Sequence, residues 1–170
     1  MHFSTLFTHC PACGSAKFVQ NNEKSKRCEN CGFVYYINAS AAVAAFIVNA
    51  SGELLVCKRG KGTYDLPGGF VDGNESAEEA MSREIQEELN AKVVDAKYLY
   101  SLPNKYEYCG MTVPTLDMFF ECRLEDTTNL VPSDDVEDCF FIPINELNPE
   151  LFGLKSVKKA VGLFLESQSS

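Results

Sequence analysis

The chain has 170 residues, 45% of them hydrophobic, which is enough for one main domain and a small appended module. Its formal net charge of -9 argues against nucleic-acid binding as the main role, because duplex-binding proteins cluster Lys and Arg against phosphates. No stretch approaches the roughly 18 to 20 apolar residues of a membrane-spanning helix, and the first residues lack the pattern of an export signal. We therefore expect a soluble, cytoplasmic protein with no membrane partner.

Two cysteine pairs lie near the N-terminus, each followed by glycine, and fourteen residues separate them. Each C-x-x-C-G segment forms a turn whose amides face sulfur, and glycine permits the positive φ that this turn requires. The spacing predicts a structural zinc ribbon that gains its folding energy from the metal. Disulfides or free thiols are the less favoured alternative, and His9 is interpreted as a bystander. The predicted Zn²⁺ ligands are Cys10, Cys13, Cys28 and Cys31.

The composition changes near residues 37–40, where the first sustained apolar run begins. We therefore predict a zinc ribbon over residues 1–38 and a main domain over residues 39–170. In the main domain, alternation and turn residues predict a strand at Ala42–Val48 with its hairpin partner at Glu53–Arg59, then a loop from Gly60 to Asn74. The later elements predict an α/β fold with a mixed sheet: a helix at Ser76–Leu89, strands at Val93–Ser101, Thr115–Leu124 and Cys139–Ile142, and a helix at Lys155–Glu166.

The first predicted helix carries an unusual set of carboxylates. On a helical wheel at about 100° per residue, Glu84 and Glu88 fall inside the apolar arc and Glu87 falls at its edge. Neighbours at this spacing are expected to converge within a few ångströms, which is unfavourable unless cations arrive. Such oxygen ligands suit Mg²⁺ or Mn²⁺, which also bind phosphate oxygens. The alternative, a solvated acidic face, describes Glu78 and Glu79 better.

The same stretch resembles the Nudix box. Gly69, five residues, Glu75, seven residues and then Arg83-Glu84-Ile85-x-Glu87-Glu88 match its specified positions. The last two specified positions depart from the box, with Asn90 where the family usually has glycine and Ala91 where it has a larger aliphatic residue. We expect Asn90 to end the helix in the left-handed conformation. The resemblance covers roughly residues 40 to 166, and the cysteine module in front is similar to that of the NADH pyrophosphatase branch.

This resemblance implies a Nudix-type fold, with a mixed sheet sandwiched by helices, and hydrolysis of a diphosphate linkage in a nucleoside-diphosphate-like substrate such as ADP-ribose or NADH. It implies that Glu84, Glu87 and Glu88 bind Mg²⁺ or Mn²⁺, that Arg83 holds these carboxylates with help from Glu75, and that Gly69 lets the backbone approach metal or phosphate. Products would be a nucleoside monophosphate and a phosphorylated remainder. A homodimer is a further family-level expectation.

The general base and the substrate contacts are assigned with their alternatives left open. Family members often carry an additional metal-binding or basic glutamate in a loop, and Glu137 in the acidic stretch 133–138 is the candidate here, with an ordinary acidic loop as the alternative. Phe70, Tyr106 and Lys105 are candidate substrate contacts, although aromatic residues in a sheet are more often core. The segment Ser101-Leu102-Pro103 keeps only the serine and a proline of the NADH-pyrophosphatase signature, so the substrate stays open.

Two other functions are weighed against hydrolysis of a small nucleotide. A non-catalytic Nudix module would sense a nucleotide or dock RNA or protein, but it would not need convergent metal ligands. A hydrolase acting on nucleotide-capped RNA would use the basic residues of the ribbon, namely Lys17, Lys24, Lys26 and Arg27. Such a modest patch more often serves solubility. A nucleic-acid partner is therefore not expected, but it is kept as an alternative.

Overall fold

The computed structural model describes residues 7–60 and 62–168, which form two compact units. One unit comprises the chain up to Ser40 together with Lys105–Thr115, and the other comprises Ala41–Asn104 and the chain from Leu116 onward. The boundary predicted at residues 38 and 39 stays a prediction. The inclusion of Lys105–Thr115 in the first unit is not anticipated by the sequence.

The N-terminal unit contains a small antiparallel sheet with the order β1-β2-β3. Its strands are Phe18–Asn22 (β1), Ser25–Cys28 (β2) and Val34–Tyr36 (β3). Its buried core consists of Cys10, Phe18 and Cys28, with Tyr35 packed against them. A core of this size supplies too little apolar burial to stabilise a fold by itself, so the unit needs a cross-link or a metal.

The larger unit contains two helices and most of the sheet structure. The strands are Ser40–Phe46 (β4), Glu53–Arg59 (β5), Thr63–Asp65 (β6), Val93–Tyr108 (β7), Met111–Leu124 (β8) and Asp138–Pro143 (β9), and the helices are Ala77–Leu89 (α1) and Lys155–Gln168 (α2). Short 3-10 turns at Ile144–Glu146 and Pro149–Leu151 precede α2. The strands form two three-stranded sheets with the orders β4-β8-β7 and β6-β5-β9.

The sheets lie between the two helices. Neighbouring residues of β4 and β5 point to opposite faces of their sheets, so each strand packs against one helix on each side. Val43 and Ala45 of β4 and Leu55 of β5 belong to the hydrophobic cluster that contains the buried face of α1. Ala44 and Phe46 belong to the cluster that contains α2, where the Phe46 ring stacks on Phe164 at a centroid distance of 4.4 Å. The predicted α/β class is confirmed. Within the described residues, no helix is both long and apolar enough to cross a membrane.

The predicted hairpin between the first two strands of this unit is only partly correct. β4 and β5 belong to different sheets, and their contact is limited to the turn, where Val48 bridges Leu54 and the Leu55 amide donates to the Ile47 carbonyl. The remaining edge of β4 is hydrogen-bonded to the glycine loop instead, since the Ala45 amide donates to the Pro67 carbonyl at 2.9 Å. The loop that approaches the carboxylate helix therefore takes the place expected for β5.

Two other elements differ from the sequence prediction. The loop predicted from Gly60 to Asn74 contains β6, which pairs with the end of β5, with Cys57 opposite Asp65. β7 continues past Pro103 to a turn in which Cys109 and Gly110 both have positive φ, as a tight hairpin requires. Because β7 is an edge strand, a proline without an amide hydrogen is tolerated in it.

Candidate active site and metal centre

Helix α1 begins at a capping box that fixes its start. The Ser76 hydroxyl accepts a hydrogen bond from the Glu79 amide, and the Glu79 carboxylate accepts one from the Ser76 amide. The helix ends at Asn90, whose left-handed conformation (φ 50°) confirms the expectation from the sequence. Both ends of the helix are thus fixed by residues outside the group formed by Glu84, Glu87 and Glu88, and this helps to set the direction of those carboxylates.

The carboxylates of α1 differ in exposure as the helical wheel predicts. Glu84 and Glu88 keep only 9% and 1% of their accessible surface, whereas 53% of the Glu87 side chain is exposed. A buried ionised carboxylate is costly unless it is paired and hydrogen-bonded. Each buried carboxylate is accordingly bound to an arginine.

The predicted convergence of the three carboxylates on a divalent cation stays a prediction. In the described parts of the chain, the cysteines near the N-terminus are the one group of three or more His, Cys, Asp or Glu whose ligand atoms all lie within 4.8 Å of one another. Glu84 and Glu87 instead share the guanidinium of Arg83, while Glu88 binds Arg59. Like charges at helical spacing repel each other, and two guanidiniums divide and neutralise them.

Arg83 links the glycine loop to two of the three carboxylates. Its Nε and Nη2 donate to the Glu75 carboxylate at 3.1 and 2.6 Å, so the ion pair expected between these residues is present. Its Nη1 donates to Glu84 at 2.8 Å and to Glu87 at 3.2 Å, and its Nη2 also donates to the Phe70 carbonyl at 2.8 Å. All of these partners lie within 13 residues of Arg83 in the sequence.

Gly68 and Gly69 allow the loop to lie between β4 and α1. The Gly69 carbonyl accepts a hydrogen bond from the Val43 amide at 2.8 Å. A Cβ atom on Gly69 would lie 2.6 Å from the carboxylate of Glu84, and Gly68, with φ 137°, has no room for a Cβ beside the Val43 carbonyl. A side chain at either position would therefore disturb the loop or the carboxylate. The metal or phosphate role of Gly69 stays a prediction.

Arg59, at the end of β5, organises the third carboxylate, and it was not among the site residues predicted from the sequence. Its Nη2 donates to Glu88 at 2.5 Å and to the Gly68 carbonyl at 2.9 Å, while its Nη1 pairs with Asp135. Its Nε lies 3.4 Å from the Asp65 carboxylate. The second oxygen of Glu88 accepts a hydrogen bond from the Gly68 amide at 2.8 Å. The most buried carboxylate of α1 is therefore held through both oxygens.

The segment 131–138, here called the acidic loop, is hydrogen-bonded to the C-terminal end of α1. The Val131 and Ser133 amides donate to the Leu89 and Glu88 carbonyls at 3.0 and 2.8 Å. Carbonyls in the last turn of a helix have no partner within the helix, so these two loop amides supply one. The loop therefore begins directly beside the residue that Arg59 holds.

Asp135 of this loop contacts the site through Arg59. Asp135 pairs with Arg59, whereas the exposed Glu137 has its carboxylate beside Gly60 and its amide on the Lys58 carbonyl at 2.9 Å. The role of Glu137 as metal ligand or base stays a prediction. The sequence signal for this contact is the charge complementarity between Arg59 and the acidic stretch 133–138. Because the two are far apart in the chain, this signal is weak.

Burial dominates the electrostatics of this site. It raises the pKa of Glu88 to about 7 although Arg59 acts in the opposite direction, and it raises the pKa of Glu84 despite the contact with Arg83. Burial also raises the pKa of Asp65 to about 6. The described residues that meet here carry more carboxylates than guanidiniums, so negative charge is left over at the site. A bound divalent cation would offset this charge and favour the ionised form of the carboxylates. The donor chemistry fits a hard cation.

The three predicted substrate contacts lie in two different units. Phe70 follows the glycine pair, pairs with Ala42 of β4 and is 41% exposed, so its ring is accessible beside the Arg83 contact. Tyr106 stacks on Tyr108 at a centroid distance of 6.4 Å in the hairpin segment of the N-terminal unit, where Lys105 is exposed. All three roles stay predictions.

The four cysteines of the N-terminal unit form a compact group that has the dimensions of a metal site. The sulfur atoms of Cys10 and Cys31 are 3.7 Å apart, and those of Cys13 and Cys28 are 3.6 Å apart. Thiolates bound to Zn²⁺ at about 2.3 Å in a tetrahedron would be separated by about 3.8 Å. With all four sulfur atoms within 4.8 Å of one another, the cysteine group fits a four-thiolate zinc ion.

Two equivalent turns build the cysteine group. Gly14 and Gly32 donate their amides to the Cys10 and Cys28 carbonyls at 2.8 and 2.9 Å, and both have the predicted positive φ. A backbone hydrogen bond from Cys31 lowers the pKa of the Cys28 thiol, which favours the thiolate that a metal needs. His9, which contacts Thr8, is not a member of the group.

One residue of the predicted basic patch of the ribbon is not exposed. Lys26 is only 6% accessible, and its Nζ donates to the Phe7 carbonyl at 2.5 Å and lies over the Phe18 ring. Lys17, Lys24 and Arg27 are exposed. The amphipathic stem of Lys26 packs in the ribbon core, so the available patch is smaller than the sequence suggests.

Comparison with known proteins identifies the family. Residues 39–161 match the NUDIX domain. The chain belongs to this family. A NAD-capped RNA hydrolase NudC from Pseudomonas aeruginosa is 23% identical over 163 residues, covering 94% of this chain and 56% of the relative. One from Chromobacterium violaceum is 33% identical over 95 residues, covering 54% of this chain and 36% of the relative. The chain thus spans about half, or less, of the length of these curated relatives.

Solved structures support the same fold. A NUDIX hydrolase from Nitrosomonas europaea superposes with a TM-score of 0.74 and 19% identity, and the match covers 95% of this chain and 92% of that one. A structure described as UDP-X diphosphatase gives a TM-score of 0.61 and 20% identity over 80% of this chain and 66% of that one. The predicted Nudix fold is confirmed.

Proposed function

We propose that this chain is a divalent-metal-dependent hydrolase that cleaves a diphosphate linkage in a nucleotide-like substrate and releases a nucleoside monophosphate. The observation that carries the proposal is the arrangement of Glu84, Glu87 and Glu88, which two arginines hold beside the glycine loop. Membership of the NUDIX family supports it. A domain that only packed a helix would not bury carboxylates on the packed side.

Each residue of the site has a proposed role. Glu84, Glu87 and Glu88 would bind Mg²⁺ or Mn²⁺ through carboxylate oxygens, with Gly69 leaving space for a close approach, and Arg83 would keep the first two in position. Because Arg83 and Arg59 divide these three carboxylates, the arrangement suits more than one ion, or one ion after rotation of the exposed Glu87. The cysteine group would hold Zn²⁺ in a structural role.

The reaction would be an attack of water on one phosphorus of the diphosphate. When bound, the divalent ions supply neutralisation of the charge that develops on the diphosphate and on the departing phosphate. Glu137 would accept the proton of the attacking water. Phe70 would stack on a base. Tyr106 and Lys105, which belong to the N-terminal unit, are kept as separate proposed contacts, Tyr106 to a base and Lys105 to a phosphate. These contacts would orient the substrate rather than take part in bond breaking.

A capped RNA is the second candidate substrate, and the names of the curated relatives favour it. The relatives are called NAD-capped RNA hydrolases, so the proposed diphosphate would lie in a dinucleotide joined to the first nucleotide of an RNA. The exposed Lys17, Lys24 and Arg27 of the ribbon would then contact the RNA chain. With Lys26 buried, we expect this contribution to be weak and sensitive to salt.

The deciding experiment separates the products of a substrate panel by chromatography. The panel contains NADH, NAD, ADP-ribose, nucleoside-diphosphate sugars, nucleoside triphosphates and a short NAD-capped RNA, each with Mg²⁺, with Mn²⁺ or with chelator. Glu87→Gln is the inactive variant, because the exposed Glu87 contributes charge and little packing. Metal-dependent release of a nucleoside monophosphate from one class, lost in the variant, supports the proposal and names the substrate.

The same panel addresses the sensing alternative. Nucleotide binding without turnover under any metal condition would contradict hydrolysis and favour a non-catalytic module. Turnover of the capped RNA alone, decreasing between low and physiological salt, would favour the second candidate substrate. Equal rates for free NAD and NAD-capped RNA would show that the ribbon charges contribute nothing to recognition.

A further inference from the structure

Arg59 contacts four residues, of which Asp65 and Gly68 are near it in the sequence and Glu88 and Asp135 are distant. Its guanidinium contacts Glu88 of α1, the Gly68 carbonyl, Asp65 of β6 and Asp135 of the acidic loop. The Arg59 side chain is only 20% exposed, and that of Glu88 is 2% exposed. A contact this buried is held in one geometry, unlike an exposed surface ion pair.

The backbone brings Asp135 to Arg59. The loop is fixed on one side by the Ser133 amide on the Glu88 carbonyl, and on the other by the Glu137 amide on the Lys58 carbonyl. These two carbonyls belong to Glu88 itself and to the residue before Arg59. The side chain of Asp135, between the two anchors, therefore meets the guanidinium without needing to order a free loop.

Arg59 and Gly68 occupy only part of the bonding capacity of Glu88. One oxygen accepts from Arg59 and the other from the Gly68 amide. Each carboxylate oxygen has two lone pairs, so lone pairs remain for a cation after both contacts are made. Donors that contact a ligating side chain fix its direction, and their loss typically weakens metal binding.

We propose that Arg59, held from its other side by Asp135, is a positioning residue that orients Glu88 for binding a divalent cation. This inference rests on the proposed function. The role requires arginine, because one planar fork reaches Glu88 and Gly68 through Nη2, Asp135 through Nη1 and Asp65 through Nε. A lysine has three donors on a single nitrogen, so it cannot span partners that lie on three sides of a guanidinium.

The test measures Mn²⁺ binding by electron paramagnetic resonance on the full chain, with the cysteine group kept saturated with Zn²⁺. Arg59→Lys is expected to weaken Mn²⁺ binding about tenfold, and Asp135→Asn less, as for the loss of donors around a metal ligand. If Asp135 acts through Arg59, Asp135→Asn adds no further loss in the Arg59→Lys background. Arg123→Lys on β8 and Asp134→Asn beside Asp135 are the matched controls, and both residues are exposed.

Other readouts separate positioning from a merely structural role. All titrations are made well below the unfolding temperature of each variant, with folding checked by circular dichroism. Arg59→Lys is expected to lower kcat with little change in KM at saturating metal, and methylguanidinium is expected to restore part of the Mn²⁺ affinity of Arg59→Ala. Unchanged or tighter Mn²⁺ binding in folded Arg59→Lys would overturn the inference.

The wild-type protein and Glu87→Gln distinguish a failure of this inference from a failure of the proposed function. If wild type binds Mn²⁺ and Glu87→Gln weakens it while Arg59→Lys does not, only the role of Arg59 is wrong. If wild type shows no Mn²⁺ binding that depends on Glu87, the proposed function itself is contradicted.

Discussion

The cysteine group and the carboxylate site are organised in opposite ways. The four cysteines come from two equivalent turns, and their sulfur atoms already lie within 4.8 Å of one another. The three carboxylates come from one helix, are divided between two arginines and differ widely in exposure. Four thiolates fill the coordination sphere of a zinc ion and leave no position for a substrate. Carboxylates with free lone pairs can bind a cation that keeps positions open for a substrate.

This difference has a physical cause. Backbone amides of the two turns hydrogen-bond to the cysteines, so the direction of the thiols is set locally. Negative charges on adjacent helical turns repel, so the buried carboxylates are held by guanidiniums, Glu84 by Arg83 of the same helix and Glu88 by Arg59 of β5. The first site is therefore suited to folding and the second to chemistry. Substitutions are expected to separate the two, with turnover falling most at the carboxylates and least at the cysteines.

The largest expected effect is the loss of turnover in Glu87→Gln and Glu88→Gln. Metal ligands contribute several kcal/mol of charge stabilisation, and each 1.36 kcal/mol is a factor of ten in rate, so we expect kcat to fall by about a hundredfold or more. Steady-state kinetics with Mg²⁺ on the substrate that the panel identifies provides the measurement. Glu78→Gln is the control, since Glu78 is exposed on the first turn of the same helix.

The two variants are expected to differ in stability. Both oxygens of Glu88 accept hydrogen bonds, so a glutamine there places its amide against a donor and costs about 1 to 3 kcal/mol. Glu87→Gln should leave the thermal unfolding temperature unchanged because its side chain is exposed. Wild-type rates in Glu87→Gln would contradict the metal assignment, and an unchanged unfolding temperature in Glu88→Gln would contradict the importance of its two hydrogen bonds.

The second expected effect concerns the candidate base. Glu137→Gln should lower kcat by about a hundredfold at neutral pH if Glu137 accepts the proton of the attacking water. Asp138→Asn, the next residue of the same loop, serves as the control, since its side chain is exposed and accepts a hydrogen bond from the Cys139 amide. Comparable rates in Glu137→Gln and wild type would show that Glu137 is not the base. The acidic loop would then act only through the contact of Asp135 with Arg59.

Contacts of the carboxylate site could be predicted where the two partners are close in the sequence and not where they are far apart. The partners of Arg83 lie within 13 residues of it, so helical periodicity and the box resemblance indicate them together. The partners of Arg59 lie up to 76 residues away, and no local pattern connects a strand end with a distant acidic loop. For that reason position in the loop indicates Glu137, whereas Asp135 is the residue that contacts Arg59.

The fold shows the same dependence on local signals. The capped helix α1 and the strands with clear alternation were predictable, because each side chain pattern is decided within the element. The separation of β4 and β5 into different sheets was not, since it depends on the glycine loop occupying the edge of β4. The short strand β6 has glycine and proline around it in the sequence, which obscures its strand pattern, and it depends on pairing with the edge of β5.

A smaller effect is expected for Arg83→Lys. Lysine keeps the charge but cannot donate at once to Glu75, Glu84 and Glu87, so we expect kcat/KM to fall about tenfold to thirtyfold, as for other donors that orient metal ligands. Mn²⁺ affinity should decrease in parallel. Arg123→Lys is the matched control. Equal kinetics in Arg83→Lys and wild type would show that charge alone, without the fork geometry, holds these carboxylates.

The smallest effect on turnover, with the largest effect on metal content, is expected for Cys28→Ser. Serine cannot replace a thiolate ligand, so the bound zinc should fall from about one per chain to near zero, and amide exchange in β1–β3 should accelerate. At low temperature, kcat should stay within about threefold of wild type, because a closed structural site contributes no ligand to chemistry. The exposed Cys109→Ser is the control. Full zinc in Cys28→Ser would show that the cysteine group is misassigned, and a hundredfold loss of kcat with an intact carboxylate site would remove the division between a structural site and a chemical one.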